Sequence, residues 1–399
     1  MQNQQAMLRL YQAMMDIKGD SLNLPLPRRL QLPVVKAFRQ QLLGELQRIY
    51  DTYIEADATM GEFFGGAIDY LQTLESTKRY GEQAIRNGYM IAKHQRLGGA
   101  IFTVSEPLEK MLADTGLKNN IPVKFFTPPH RVSYIEFCPA ERRANFPLST
   151  YAGGGTNISE GCYLQEKKVG KLPLMTREAR EALQLDPQQG ARILDIGITV
   201  SPLNNQELAE IGTKIAIDTV DNFTLFIQDE TEPLADVLER HFEFYNQRAL
   251  QSDAKTGISD RDLFKSRTTE IFSYLTKVLM YLYIEKKTRY TMNEASELEE
   301  RIQKVAEKKR PKLEKQLNRV YDRIVIGPKS YTPLAERIAS QGAAKGTKRP
   351  HFRSGYFGIR WKGTGQAKLP ELVRVDETIV NEQMLKDADA PTRRDYEIR

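Results

Sequence analysis

Between Ile121 and Asp229 the sequence abandons the helical period for short β-branched and aromatic runs. That change restricts the chain to folds combining a sheet with helices. "IPVKFF" (121–126) and "RVSYIEF" (131–137) flank "TPPH" and predict two strands joined by a proline-bearing turn. "CYLQEKKV" (162–169), "ARILDIGITV" (191–200) and "NFTLFIQD" (222–229) predict further strands. Helical patterns stand on both sides. Phe38, Leu42, Leu46, Ile49 and Tyr53 recur at three- and four-residue steps, after "LNLPLPRRLQLP" (22–33), whose three prolines interrupt any helix. Further helices are expected around Phe63–Leu74, Gly81–Gln95 and Pro107–Ala113, then over 234–249 and from an Asp260 cap past Tyr283. The charged run 295–320 reads as two solvated helices split by Pro311.

The expected class is α+β: a helical N-terminal part, a mainly antiparallel sheet with packed helices, and a basic C-terminal β-hairpin region. The corresponding division is 1–118, 119–318 and 319–399, with a Gly/Ala/Ser/Lys-rich linker over 339–347. A length of 399 residues suits two or three such units.

Charge is distributed unevenly along the chain. Residues 301–370 hold eighteen Lys and Arg against four Asp and Glu, although the whole chain carries only +6. From Arg337 to Pro370 there is no acid. An acidic body with a basic carboxy-terminal region points to contact with a polyanion. The amino-terminal stretch lacks an apolar core and cleavage site, so no secretory signal is expected. The longest apolar segment, 271–284, is broken by Ser273, Thr276 and Lys277, short of a membrane span. Two cysteines, Cys138 and Cys162, form neither a disulfide framework nor a zinc signature, which suits a reducing cytoplasm.

Most chemical motifs fail on their spacing. "ILDIG" (193–197) begins like a nucleotide-binding glycine loop, but Gly197 is followed by Ile-Thr-Val, so a bulged core strand is expected. "YAGGGTN" (151–157) offers three glycines without the Lys-Ser/Thr of a phosphate loop and reads as a mobile loop. His94, His130 and His241 share no metal-binding spacing, and His241 reads as a packed or surface residue. No cofactor or metal is implied. Nothing requires an enzyme, and that question stays open here.

"KRPHFRSGYFGIRWKGTGQAK" (348–368) is different. It gathers Lys348, Arg349, Arg353, Arg360, Lys362 and Lys368 with His351, Tyr356 and the single tryptophan, Trp361. Cations for phosphates and flat rings for bases are the materials of RNA contact. Strand alternation puts Tyr356, Gly358, Arg360 and Lys362 on one face and Phe357, Ile359 and Trp361 on the other. Trp361 therefore has two readings, packing onto the core or stacking on bases. "GTG" (363–365) reads as a hairpin turn. His351 and Arg353 would fill two of the three roles of metal-free RNA cleavage, without a second titrating partner nearby.

"TKRPHFRSGYFGIRWKGTGQAK", "VRV" and "IVN", within 347–381, resemble the carboxy-terminal signature of a type V-A anti-CRISPR family. That family has a bulkier, more His/Arg/Trp-rich run where this chain has "SGYFGI". The resemblance implies a protein of a phage or plasmid that suppresses production of the type V-A effector nuclease. The implied mode is recognition of the nascent amino-terminal peptide near the ribosome, with a fall in the messenger RNA. Its implied partners are the nascent effector polypeptide, RNA or the ribosome, and a host nuclease; no membrane is involved. Two other readings stay open: an RNA-binding or RNA-cleaving protein of a mobile element unrelated to CRISPR, and a structural protein docking on an acidic partner.

Overall fold

The computed structural model describes residues 24–139, 142, 149–152, 155–173, 175–201, 220–253, 261–285, 288–332, 351–363, 368–380 and 392–393. It begins with four helices: α1 (Leu26–Arg29), α2 (Pro33–Glu55), α3 (Met60–Thr73) and α4 (Glu75–Arg96). Pro27 lies inside α1, contrary to the expected interruption, because the first turn needs no amide donor there. Leu46, Tyr50 and Ile54 of α2 are buried against Phe63 of α3 and Tyr89 of α4, and the Phe63 and Tyr89 rings stack at 4.2 Å. The side chains of Phe38 and Leu42, and the expected Asp260 cap, lie outside the described residues.

The central sheet has the order β7-β6-β5-β3-β1-β9-β8, with β4 beside β5. Its strands are β1 (Ala100–Val104), β3 (Val132–Glu136), β4 (Ser149–Ala152), β5 (Gly155–Val169), β6 (Ala191–Ser201), β7 (Val220–Ile227), β8 (Arg289–Met292) and β9 (Arg323–Ile326). β1 runs parallel to β3 and β9; the other pairings are antiparallel. The architecture is α+β, with a mainly antiparallel sheet carrying packed helices. The sheet draws strands from each of the three segments into which the sequence was divided.

Three local expectations are corrected. Residues 121–126 do not form a strand: Val123–Phe125 is a short 3-10 turn. Buried Arg192 donates to the Val123 and Phe126 carbonyls, and the Val123 and Lys124 amides donate to the Glu232 and Glu230 backbone carbonyls. The segment is thus tied to the loop before residue 234 rather than to a neighbouring strand. Gly197 sits in regular pairing on β6, and the bulge lies on β5 between Ser159 and Gly161. "YAGGGTN" is not a loop throughout, since Tyr151 pairs Thr156 and Ala152 pairs Gly155 in the β4–β5 hairpin.

The two sheet faces differ in chemistry. Phe102, Ile135, Cys162, Leu164, Leu194, Ile196, Phe223 and Leu225 belong to one apolar core. That core also takes residues of α5 (Glu106–Ala113) and, beyond the short α6 (Arg177–Ala182), of α7 (Leu234–Asp253) and α8 (Arg261–Ile284). The opposite face is also buried but mixed, with Ile101, Tyr134 and Tyr163 in a second apolar cluster and polar groups between them. Glu136 accepts from the Thr103 and Tyr321 hydroxyls, and the Gln165 amide donates to the Met90 carbonyl of α4. Asp195 accepts the Met60 amide at the start of α3 (3.0 Å) and the Thr224 hydroxyl (2.7 Å). Burial raises the Asp195 pKa, and these donors oppose that rise. Glu160, fully buried beside the bulge, receives both arms of the Arg29 guanidinium at 2.8 and 2.7 Å and the Leu26 amide at 3.2 Å. Gly161 follows it because a Cβ there would collide with the Ile135 carbonyl and the Tyr134 hydroxyl.

Two histidines complete the interior. His241 accepts the Phe226 amide at Nε2 and donates from Nδ1 to the Val237 carbonyl, so it is packed and neutral. His94 is buried against Tyr163. Burial lowers the pKa of each to about 4 from an ordinary 6.5.

Two predictions follow from this interior. Glu160→Ala should cost about 3–5 kcal/mol, because it strands a buried guanidinium, while Arg29→Met/Glu160→Gln should cost less; urea unfolding checks both. The unfolded chain protonates both histidines near pH 6.5 and the folded chain only near 4. Stability should therefore fall as pH is lowered through that window, visible as a lower urea midpoint at pH 5 than at pH 7.

Candidate functional site: an apolar groove beside a basic hairpin

Where α7 and α8 meet residues 117–121 the surface opens into a groove of 330 Å³. Leu234, Leu238 and Phe242 of α7 form one wall, and Phe272, Thr276 and Met280 of α8 another. Leu117, Lys118 and Ile121 close it on the sheet side. Its volume lies at the lower end of the ~300–1,000 Å³ typical of small-ligand clefts, so it suits one or two side chains rather than a domain. Lys118 and Glu239 are its ionic groups. The Thr276 hydroxyl, on a residue only 2% exposed, has no hydrogen-bond partner among the described residues. The sequence signal for this groove was slight: 271–284 showed only as an apolar helix with polar interruptions at Ser273 and Thr276.

The basic hairpin adjoins it. β2 (Thr115–Leu117) runs parallel to the start of β11 (Gly355–Lys362), and β11 pairs antiparallel with β12 (Leu369–Val375). Phe357 is fully buried, Ile359 half-buried and Trp361 59% exposed. One strand face therefore starts in the core and runs out past it. The packing reading of Trp361 is overturned, because Phe357 fills that role and the strand overshoots the body by Trp361. On the other face Lys118 lies over the Tyr356 ring at 4.7 Å. Gly358 leaves room there, since a Cβ would press on Tyr356 and the Lys118 stem.

The predicted polyanion residues divide into groups. Arg360, Trp361, Lys362 and Lys368 are exposed together at the far end of the hairpin, with Tyr356 half-buried behind them. His351 and Arg353 lie on β10 (His351–Arg353), in another small sheet with β13 (Thr378–Val380) and β14 (Thr392–Arg393). Arg353 is exposed there. Lys348, Arg349, the linker 339–347 and most of the "GTG" turn lie outside the described residues, as does the His351 side chain. Folding also changes the charge pattern. The acid-free stretch acquires Glu371, directly across from Arg360 and 3.6 Å from the Lys362 ammonium.

Among the described residues no group of three or more His, Cys, Asp and Glu is arranged to hold a metal ion, and no helix is long and apolar enough to cross a membrane. Trp361→Ala should change stability by less than about 0.5 kcal/mol. Phe357→Ala should cost roughly 3–5 kcal/mol. Chemical denaturation of the two variants measures the difference.

Comparison with known proteins places this arrangement in a family. No curated protein sequence matches the chain. A solved structure, the crystal structure of AcrVA2, is similar at 13% identity over 87% of this chain and 96% of that chain, with a TM-score of 0.43. The family model AcrVA2-like, the Anti-CRISPR type V subtype A2 family, matches residues 102–382, a span containing the groove and hairpin just described. With well over half of its length matched, the chain belongs to the Anti-CRISPR type V subtype A2 family.

Proposed function

We propose that this anti-CRISPR protein lowers production of a type V-A effector by recognising the effector's nascent amino-terminal peptide in the groove between α7 and α8. The observation that carries the reading is an apolar cleft beside an exposed basic hairpin. A short emerging peptide can place one or two apolar side chains in such a cleft, and apolar pockets with a few polar groups are how peptides are commonly held. The hairpin residues Arg360, Trp361, Lys362 and Lys368 then rest on ribosomal RNA or on the message, supplying charge for phosphates and a ring for a base. Loss of the message is carried out by a host nuclease. Activity takes place in the bacterial cytoplasm.

The test is co-expression with a type V-A effector, following effector protein and messenger RNA together. A second effector gene, synonymously recoded over its first codons, keeps the peptide and changes the RNA. Both signals should fall for both genes; a fall confined to the original codons would replace peptide recognition with RNA recognition. Leu238→Asp, on the groove wall, should restore effector levels while thermal unfolding stays cooperative. Arg360→Ala/Lys362→Ala should reduce the salt dependence of RNA association, lowering the log–log slope by roughly 1–2, because each lost phosphate contact releases fewer counterions.

A further inference from the structure

The small sheet beside the groove has two edges, and they are not alike. The Lys118 amide donates to the Phe357 carbonyl at 3.1 Å, which fixes the direction in which β11 points its peptide groups. Residues 355, 357, 359 and 361 face the β2 side, and the alternating residues pair with β12. β2 ends at Leu117. Beyond that point the amides and carbonyls of Ile359 and Trp361 face outward with no backbone partner among the described residues. On the opposite edge Pro370, paired with Trp361, faces outward and has no amide to offer. A proline on an edge strand blocks further pairing, so the β12 edge is guarded and the β11 edge is open.

The open edge begins where the groove begins. Lys118 ends the β2 pairing and also lines the groove, with Leu117 beside it. A chain laid along Ile359–Trp361 would occupy the line that β2 vacates, and its near end would meet Lys118, which lines the groove. Lys118, at that junction, gives the near end of the site a positive charge, and its ammonium lies against the Tyr356 ring.

We propose that the peptide is taken up by strand addition: an extended segment pairs its backbone with Ile359 and Trp361 of β11, places an apolar side chain in the groove, and sets an acidic side chain against Lys118. The inference rests on the peptide-recognition reading above and specifies its chemistry. Backbone pairing supplies affinity that does not depend on sequence, and the groove and Lys118 supply selection. The edge is separate from the strand face that carries Arg360 and Lys362, so peptide and RNA need not compete for the same atoms.

A synthetic peptide covering the effector's amino-terminal segment is the probe, with binding measured by fluorescence anisotropy and hydrogen exchange followed on the full chain. Trp361→Pro removes the outward amide, and Trp361→Thr keeps it; both remove the ring, so any contribution of the indole cancels. The Pro variant should bind at least ~10-fold more weakly than the Thr variant. In the unsubstituted protein, the Ile359 and Trp361 amides should exchange quickly when free and become protected by the peptide, a readout that does not depend on how the Pro variant folds. Peptide binding without protection of those two amides would overturn strand addition and leave peptide recognition standing. Failure of the unsubstituted protein to bind the peptide would overturn both.

Discussion

The buried Arg29–Glu160 pair ties the amino-terminal helices to the central sheet. A carboxylate placed inside a sheet at a bulge is very costly unless a cation meets it there. Arg29 reaches it only because α1 lies across β5, and the Leu26 amide from the same short helix adds a third donor. The pair therefore sets where the amino-terminal helices sit. Asp195 repeats the arrangement one strand away, receiving the first amide of α3. Helix termini and carboxylates meet on this face beside a smaller apolar cluster, in which Ile101, Tyr134 and Tyr163 of the sheet pack with Leu26, Met60 and Met90.

The division of labour between the sheet faces explains where function can reside. The polar face is consumed by its own helices: its charges are buried and matched to partners fixed in place. The apolar face is buried as fully by α7 and α8, and the opening lies among those helices, where Leu234, Leu238, Phe272 and Met280 line a cleft with Lys118. The basic hairpin grows out of the same core through Phe357 and Leu372 and overshoots it, leaving Trp361 and Leu369 in solvent. Groove and hairpin are thus two ends of one apolar layer.

Much of the fold was legible in the residues because it rests on local periodicity. The helices over 60–96, 106–113, 234–253 and 261–284, and the strands over 191–201 and 220–227, follow patterns of three to four residues or of two. The failures have a common cause in distant partners. "IPVKFF" has strand composition, yet its carbonyls belong to Arg192, nearly seventy positions away. Trp361 reads equally well as buried or exposed, because only the point where β11 leaves the body decides it. The acid-free stretch was correctly seen, but Glu371 stands outside it in sequence and across from it in space.

The order of residues along the chain is enough to specify the α+β class, the acidic body with its basic carboxy-terminal region, and the residues of 347–381 that resemble an anti-CRISPR signature. These are properties of composition and short-range order. Only the folded chain brings α7, α8 and residues 117–121 together around a groove, stops β2 short of the end of β11, and lets Pro370 guard one edge while the other is bare. Each depends on which backbone groups find partners across long stretches of chain, and no local pattern of side chains specifies that.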